Sequence, residues 1–381
     1  MKGNETTTLI LRADGWKSTR RSSTEELTEP LLKYQSTTKP PKLKAVRFHR
    51  QGGPEVLVYE DAPNPQLGDG EALVWVKACG VNRVDVWARN GRYKTHLPHI
   101  LGTDVAGEVI QVSQGVNNVT PGSQVVAYPV LRDRTCRYCQ TGRPNRCEKI
   151  GLLGVAADGG YAQYVKLHAE DLLPIRGLDF RTAAALPVNF GTAWNGLVTR
   201  AKVKAGDFVL VWAAGSGLGY AAVQVAKLLG AKVIATAGSD AKLELAMSHG
   251  ADYTINHARE DVPEKVRGLT GGYGADIVFD HVGAETWQRS IQALAKGGVL
   301  VSLGVTTGEE SGVNIGRVYR SELTLAGTYA FTTDDLTKVL KLALQRQLTP
   351  YIYKELPLSS AGEAHRILEA REQFGKILLI P

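Results

Sequence analysis

Three cysteines fall inside the stretch "RDRTCRYCQTGRPNRC", residues 132–147, and the rest of the 381-residue chain holds just one more, Cys79. A disulfide there would consume two thiols and strand the third, whereas a tetrahedral metal centre would want about four ligands and finds three thiolates. On these residues alone both readings stay open. Four cysteines in a chain this long favour metal ligation or inert buried thiols over a disulfide framework.

A second chemistry lies in "VLVWAAGSGLGYAAVQVAKLLGAKVIATAGSDAK", residues 209–242, which reads as strand, glycine-rich turn, amphipathic helix and strand. In the turn, Gly215, Ser216, Gly217, Leu218 and Gly219 offer backbone N–H groups to a pyrophosphate seated on the positive end of the helix. The spacing departs from G-x-G-x-x-G, because Gly215 and Gly217 are followed by Gly219 and Tyr220. The complete βαβ unit around the turn carries the dinucleotide reading. An NAD site usually ends its second strand on an acid that binds the ribose 2′-hydroxyl. Here Ala237 and Gly238 stand there, and Ser239 and Lys242 follow, able to bind a 2′-phosphate. Asp240 is the opposing charge, and a solvated helix lysine is the plain alternative for Lys242. NADPH is the expected cofactor.

These groups need a frame. From Lys44 to about Arg181 short alternating strands are punctuated by Gly and Pro, as in "EALVWVKACG" and "GGYAQYVKLH". The period then changes: "TAAALPVNFGTAWNGLVTRA" is helical, and continuous apolar strands such as "ADIVFDHVG" and "VLVSLGV" alternate with amphipathic helices. Continuous Val/Ile/Leu runs are the mark of buried parallel strands, so the fold class is α/β. Residues 1–43 are Ser/Thr-rich, without sustained periodicity, and read as a disordered extension. Its five acids argue against a transit peptide.

The net charge of +7 invites a nucleic-acid reading, but residues 1–43 carry eight Lys/Arg against five Asp/Glu, leaving +4 for the body. Basic residues there alternate with acids, as on solvated faces, so no nucleic-acid partner is expected. No run approaches the roughly 18 apolar residues of a membrane span, and no secretory signal is evident, so no membrane partner and a cytoplasmic location are expected.

"KACGVNRVDVWARNG", "HILGTDVAGEV", the cysteine loop, "DGGYAQYV", "AAALPVNFGTAW", "GSGLGYAAVQVAKLLGA" and "FDHVGAETW", in this order, resemble the medium-chain dehydrogenase/reductase superfamily. The resemblance implies a GroES-like β-barrel catalytic domain (residues 44–181 and 331–381) interrupted by a Rossmann domain with a doubly wound parallel sheet (182–330). It also implies a homodimer or homotetramer, with the edge strand in "SELTLAGTYAF" pairing across subunits. Zinc alcohol dehydrogenases of this family carry a lobe with ligands spaced C-x2-C-x2-C-x7-C. Cys136, Cys139 and Cys147 fill the last three places and Asp133 the first, so the resemblance implies one structural Zn2+ with a carboxylate ligand. An eroded lobe with free thiols is the alternative.

The catalytic zinc of those relatives is held by an early Cys, a His in "GHE" and a later Cys. The matching positions here are Cys79, the Thr103-Asp104 pair and Asn189, a poor zinc set. His96 and His99 in "THLPHIL" lie near and could substitute, although a turn with apolar packing is the simpler reading. "GVN" with Asp85 and Trp87, together with "LGTD", resembles the zinc-free quinone oxidoreductase branch. By that analogy Asn82 positions substrate or nicotinamide, Thr192 and Gly304 contact the cofactor, and His257 and Arg371 surround a 2′-phosphate. His257 departs from an expected Tyr. The reading that follows is NADPH-dependent hydride transfer to an activated double bond of a small molecule such as an enone or quinone. A zinc alcohol dehydrogenase and a non-catalytic NADPH- and RNA-binding protein are the rivals.

Overall fold

The computed structural model describes residues 42–381. The expected extension lies, up to residue 41, outside the described residues, as does the question of a targeting segment.

Strands with no polar face need cover on both sides, and the chain supplies it with helices between successive strands. Six parallel strands result, ordered Tyr253–Asn256, Lys232–Ala237, Phe208–Val211, Ala275–Asp280, Leu294–Ser302, Thr324–Gly327. In chain order this is the doubly wound Rossmann arrangement, with its reversal beside Phe208–Val211. A ligand crevice belongs at the carboxyl ends of the strands at such a reversal. Thr324–Gly327 is the outer edge, as expected of "SELTLAGTYAF".

The alternating segments build a second sheet, ordered Leu172–Pro174, Gln124–Ala127, Asp104–Val112, Glu71–Gly80, Lys376–Ile380, Ile352–Pro357, with Tyr164–His168 also paired to Glu71–Gly80. The C-terminal strand enters between Ile352–Pro357 and Glu71–Gly80, the latter far earlier in the chain, setting Leu378 opposite Gly80 and Leu379 opposite Cys79. That pairing delivers Lys376 to the neighbourhood of Asn82. A buried cluster containing Tyr128, Phe190, Phe279 and Leu378 runs from this sheet to the parallel one, so the two share apolar packing.

Two local departures matter for the site. "GVNRVDVWARNG" contains a helix, Arg83–Arg89, that its strand-like surroundings hide. Its start is fixed by Asp85, whose Oδ2 accepts the Asn82 backbone N–H at 2.8 Å. An α-helix over Phe180–Ala185 runs into "TAAALPVNFGTAWNGLVTRA", but wide π-type turns follow over Pro187–Gly191 and Asn195–Ala201. Pro187 lacks the N–H that would continue the helix, and a Cβ on Gly191 would lie 2.7 Å from the Phe331 ring, so the backbone rides directly on that side chain.

Candidate active site and candidate metal centre

The crevice is a cavity of about 580 Å³ with the glycine turn on one wall and the barrel's Asn82, Trp87 and Lys376 on the other. Gly215, Ser216, Gly217 and Leu218 line it at the start of the helix Gly217–Leu228. Ser216 caps that helix by accepting the Gly219 N–H at 2.9 Å. Glycine leaves room for the neighbours: a Cβ on Gly217 would displace the Asn189 amide, and one on Gly215 would lie 2.8 Å from Lys242 Cδ. Gly219 does not line the cavity. It lets the helix close on the Ala213–Ala214 backbone. His281, unsuspected from the sequence, lines the cavity too, its Nε2 2.7 Å from Ser216 Oγ. The other ring nitrogen, Nδ1, is buried and has no partner among the described residues. Burial lowers the His281 pKa to about 4, so the ring is neutral.

At the far end of the second strand the lining residues are Ala237, Gly238, Ser239, Lys242, His257, Arg289 and Arg371. Asp240 is turned away, its carboxylate taken by Arg259 (2.8 and 3.0 Å) and the Asn256 amide (2.9 Å). Lys242 Nζ donates to the Arg371 carbonyl at 2.5 Å. Burial, then the Arg371 charge, lowers the Lys242 pKa. His257 is likewise pushed down by burial and then by Arg289 and Arg371, while its Nδ1 lies 3.0 Å from Thr236 Oγ1. Among the described residues, Glu285 is the one carboxylate lining the cavity. A positive cluster converging on a cavity fits an anionic group.

Thr192, Asn189 and Gly304 line the stretch between this end and the barrel. There, Lys376 Nζ sits 2.5 Å from Asp104 Oδ2 and 2.7 Å from Asn82 Oδ1, with 3% of its side chain exposed. Asn82 Nδ2 donates to Asp104 Oδ2 at 2.9 Å, and the Val188 N–H donates to Asp104 Oδ1 at 2.9 Å. An ammonium has three N–H donors and these contacts use two. Lys376 borders the cavity, so its third is available to a ligand. The sequence signal for it is a lone lysine heading the apolar run "KILLIP", a segment that reads simply as a strand.

Cys79 is fully buried and absent from the cavity wall. Its Sγ packs where a Cβ on Gly102 or Gly160 would sit, and burial pushes its thiol well up. Thr103 and Asp85 are buried behind Asn82, Asp85 Oδ1 accepting from the Gly102 N–H and the Thr103 hydroxyl (3.2 and 3.3 Å). Asp85 is a positioning group, its pKa raised by burial to about 6. His96 and His99 do not reach the cavity. A catalytic zinc does not fit this end, where an ammonium already holds the cationic position and the wall offers amides in place of thiolate or imidazole.

The cysteine lobe fits a metal well. Strands Val130–Leu131 and Gly151–Leu152 pair and close its base, and ligand atoms of Asp133, Cys136, Cys139 and Cys147 all lie within 4.8 Å of one another. Cys136 and Cys139 Sγ are 3.6 Å apart, close to the edge of about 3.8 Å that a zinc–thiolate tetrahedron requires. Cys147 Sγ accepts the N–H groups of Asp133 and Lys149, both at 3.4 Å, and the Asp133 carboxylate accepts those of Thr135 and Cys136 at 3.0 Å. The Cys136 N–H above all holds the Asp133 carboxyl well below the usual range. All four cysteines are free thiols. Zinc bound here would organise the loop.

Family models agree with this geometry: "Alcohol dehydrogenase GroES-like domain" matches residues 68–177 and "Zinc-binding dehydrogenase" residues 217–345. Quinone oxidoreductase 1 of Escherichia coli is 33% identical over 357 residues, covering 88% of this chain and 99% of its own. The NAD-dependent alcohol dehydrogenase of Sulfolobus acidocaldarius is 32% identical over 350 residues, with the same coverage. A crystal structure described as an NAD-dependent alcohol dehydrogenase superposes with a TM-score of 0.85 at 42% identity, covering 89% of this chain and 99% of that one.

Proposed function

We propose that this chain, which belongs to the medium-chain dehydrogenase/reductase superfamily of oxidoreductases, is an NADPH-dependent reductase of activated double bonds, of the enone or quinone kind. The observation that carries the reading is the buried Lys376–Asp104–Asn82 cluster at the reacting end of the cavity. Bound NADPH would supply hydride to the β-carbon of the acceptor. Lys376, with its remaining N–H on the carbonyl oxygen, takes up the charge that develops there as the double bond shifts. Asp104 and Asn82 hold the ammonium in place, and we assign the proton that reaches the α-carbon to water. A fixed ammonium is a weaker electrophile than a metal ion, which favours acceptors activated by conjugation. Trp87, Tyr93 and Tyr329 also line the cavity, and their aromatic surface favours an apolar substrate.

The Lys242, His257, Arg289 and Arg371 cluster supports a 2′-phosphate, hence NADPH. Against it stand relatives named as NAD-dependent, and the 42% identity to one of them favours a second reading as an alcohol dehydrogenase. Assays of NADPH and NADH oxidation against enones, quinones and aldehydes decide between them. Enone or quinone turnover with NADPH is expected to exceed aldehyde turnover by at least tenfold. Dominant alcohol oxidation with NAD would overturn the proposal.

A further inference from the structure

We propose that His96, His99 and Asp158 form a second metal site, with two imidazole nitrogens and one carboxylate oxygen, for a borderline divalent cation such as Zn2+. The three ligand atoms form an almost regular triangle. His99 Nδ1 is 3.3 Å from His96 Nε2, His96 Nε2 is 3.2 Å from Asp158 Oδ1, and His99 Nδ1 is 3.4 Å from Asp158 Oδ1. Zinc bonds to N or O of about 2.0–2.1 Å span a tetrahedral face with edges of about 3.3–3.4 Å. The triangle is that face.

Hydrogen bonding alone accounts for it poorly. His99 Nε2 lies 3.1 Å from the Gly154 carbonyl, which only accepts, so Nε2 carries the ring proton. With only that proton on the ring, Nδ1 turns a lone pair toward Asp158 Oδ1, 3.4 Å away. One N–H from His96 cannot point well at both. A cation above the triangle satisfies all three lone pairs at once. A ligating imidazole whose other nitrogen donates to a backbone carbonyl is the usual outer-shell arrangement, and Asp158 Oδ1 is further fixed by the Ile100 N–H at 3.0 Å.

His99 is fully buried, while the His96 and Asp158 side chains are 53% and 52% exposed, so the fourth position opens to solvent. The site is separate from the cysteine lobe and does not reach the reacting end of the cavity. It would clip the segment after Tyr93, a cavity residue, to the turn at Gly154, whose backbone already abuts that of Gly102. The consequence is a fixed substrate wall.

The test is calorimetric titration of Zn2+ into the full-length protein after removal of weakly held metal with EDTA. Native protein should take up one further zinc per chain, with a rise in thermal stability. His96→Ala and Asp158→Asn should each weaken that uptake by at least tenfold and abolish the thermal rise. Both side chains are half-exposed, so the metal-free variants should melt with the metal-free native protein, whereas a variant of buried His99 would confound folding with binding. No uptake by native protein at micromolar zinc, or the same titration in native and variant proteins, would overturn the proposal.

Discussion

Lys376 Nζ stands 2.5 Å from Asp104 Oδ2 with 3% and 0% of the two side chains exposed. Burying an ion pair returns its desolvation cost only when further hydrogen bonds complete it, and here Asn82 and the Val188 N–H do so. Lys376→Met should therefore strand a buried carboxylate and cost about 3–5 kcal/mol. The double variant Lys376→Met/Asp104→Asn should recover much of that loss in urea unfolding without recovering turnover. Unchanged enone reduction in Lys376→Met would remove the lysine from the chemistry.

Elemental analysis of protein expressed with ample metal should find zinc in the cysteine lobe, and Cys136→Ser should lose it. Because ligation organises the loop from Asp133 to Cys147, the variant should also melt several degrees lower. Full thermal stability in a zinc-free protein would favour the eroded lobe.

The glycine turn, the strand–helix alternation and the cysteine spacing are local patterns, legible in the sequence, and each lies in the fold where its periodicity or spacing implies. Groups that act across the chain are not legible in that way. Lys376 reaches Asn82 only because the last strand pairs beside Gly80, and no window of sequence records that pairing. Cys79 departs in the opposite sense: it matches a ligand position by resemblance, yet its place in an alternating strand fixes which face it takes, and that face is the barrel interior. His96 and His99 read as a turn with apolar packing, but His99 instead begins a short strand, His99–Ile100, paired with Phe48, and His96 is half-exposed. Asp158, which completes their triangle, lies in a different loop.

Cofactor choice follows from the acid-free end of the second strand. Lys242→Ala should raise the KM for NADPH several-fold and leave that for NADH nearly unchanged, because only a 2′-phosphate needs the charge. Lys242→Ala with Arg371→Ala should narrow the preference further. Equal use of both cofactors by the native enzyme would contradict the assignment.

The pH dependence of stability should carry the mark of His365. This ring is fully buried, its Nδ1 3.1 Å from Arg89 Nη1 and its Nε2 3.1 Å from the Tyr161 hydroxyl, which in turn donates to Asp85. An arginine can only donate, so Nδ1 must accept and the ring stays neutral. Burial, then Arg89 and Arg83, pushes its pKa down to about 3. Unfolded histidine titrates near 6.5, so as pH falls below about 6.5 the unfolded chain takes up a proton that the folded chain refuses, and about 1.4 kcal/mol is lost per pH unit until about pH 3. Asp85, raised to about 6, runs the other way: stability falls as pH rises from about 4 to 6, and the absolute curve mixes the two. His365→Gln isolates the first, because glutamine can accept from Arg89 and donate to Tyr161 without titrating. Between pH 7.5 and 4.5, urea unfolding of native protein should lose about 2.7 kcal/mol more than the variant does. Parallel pH curves for the two proteins would mean that His365 takes up its proton in the folded state, and that the chain from Arg89 to Asp85 is not held in the neutral form.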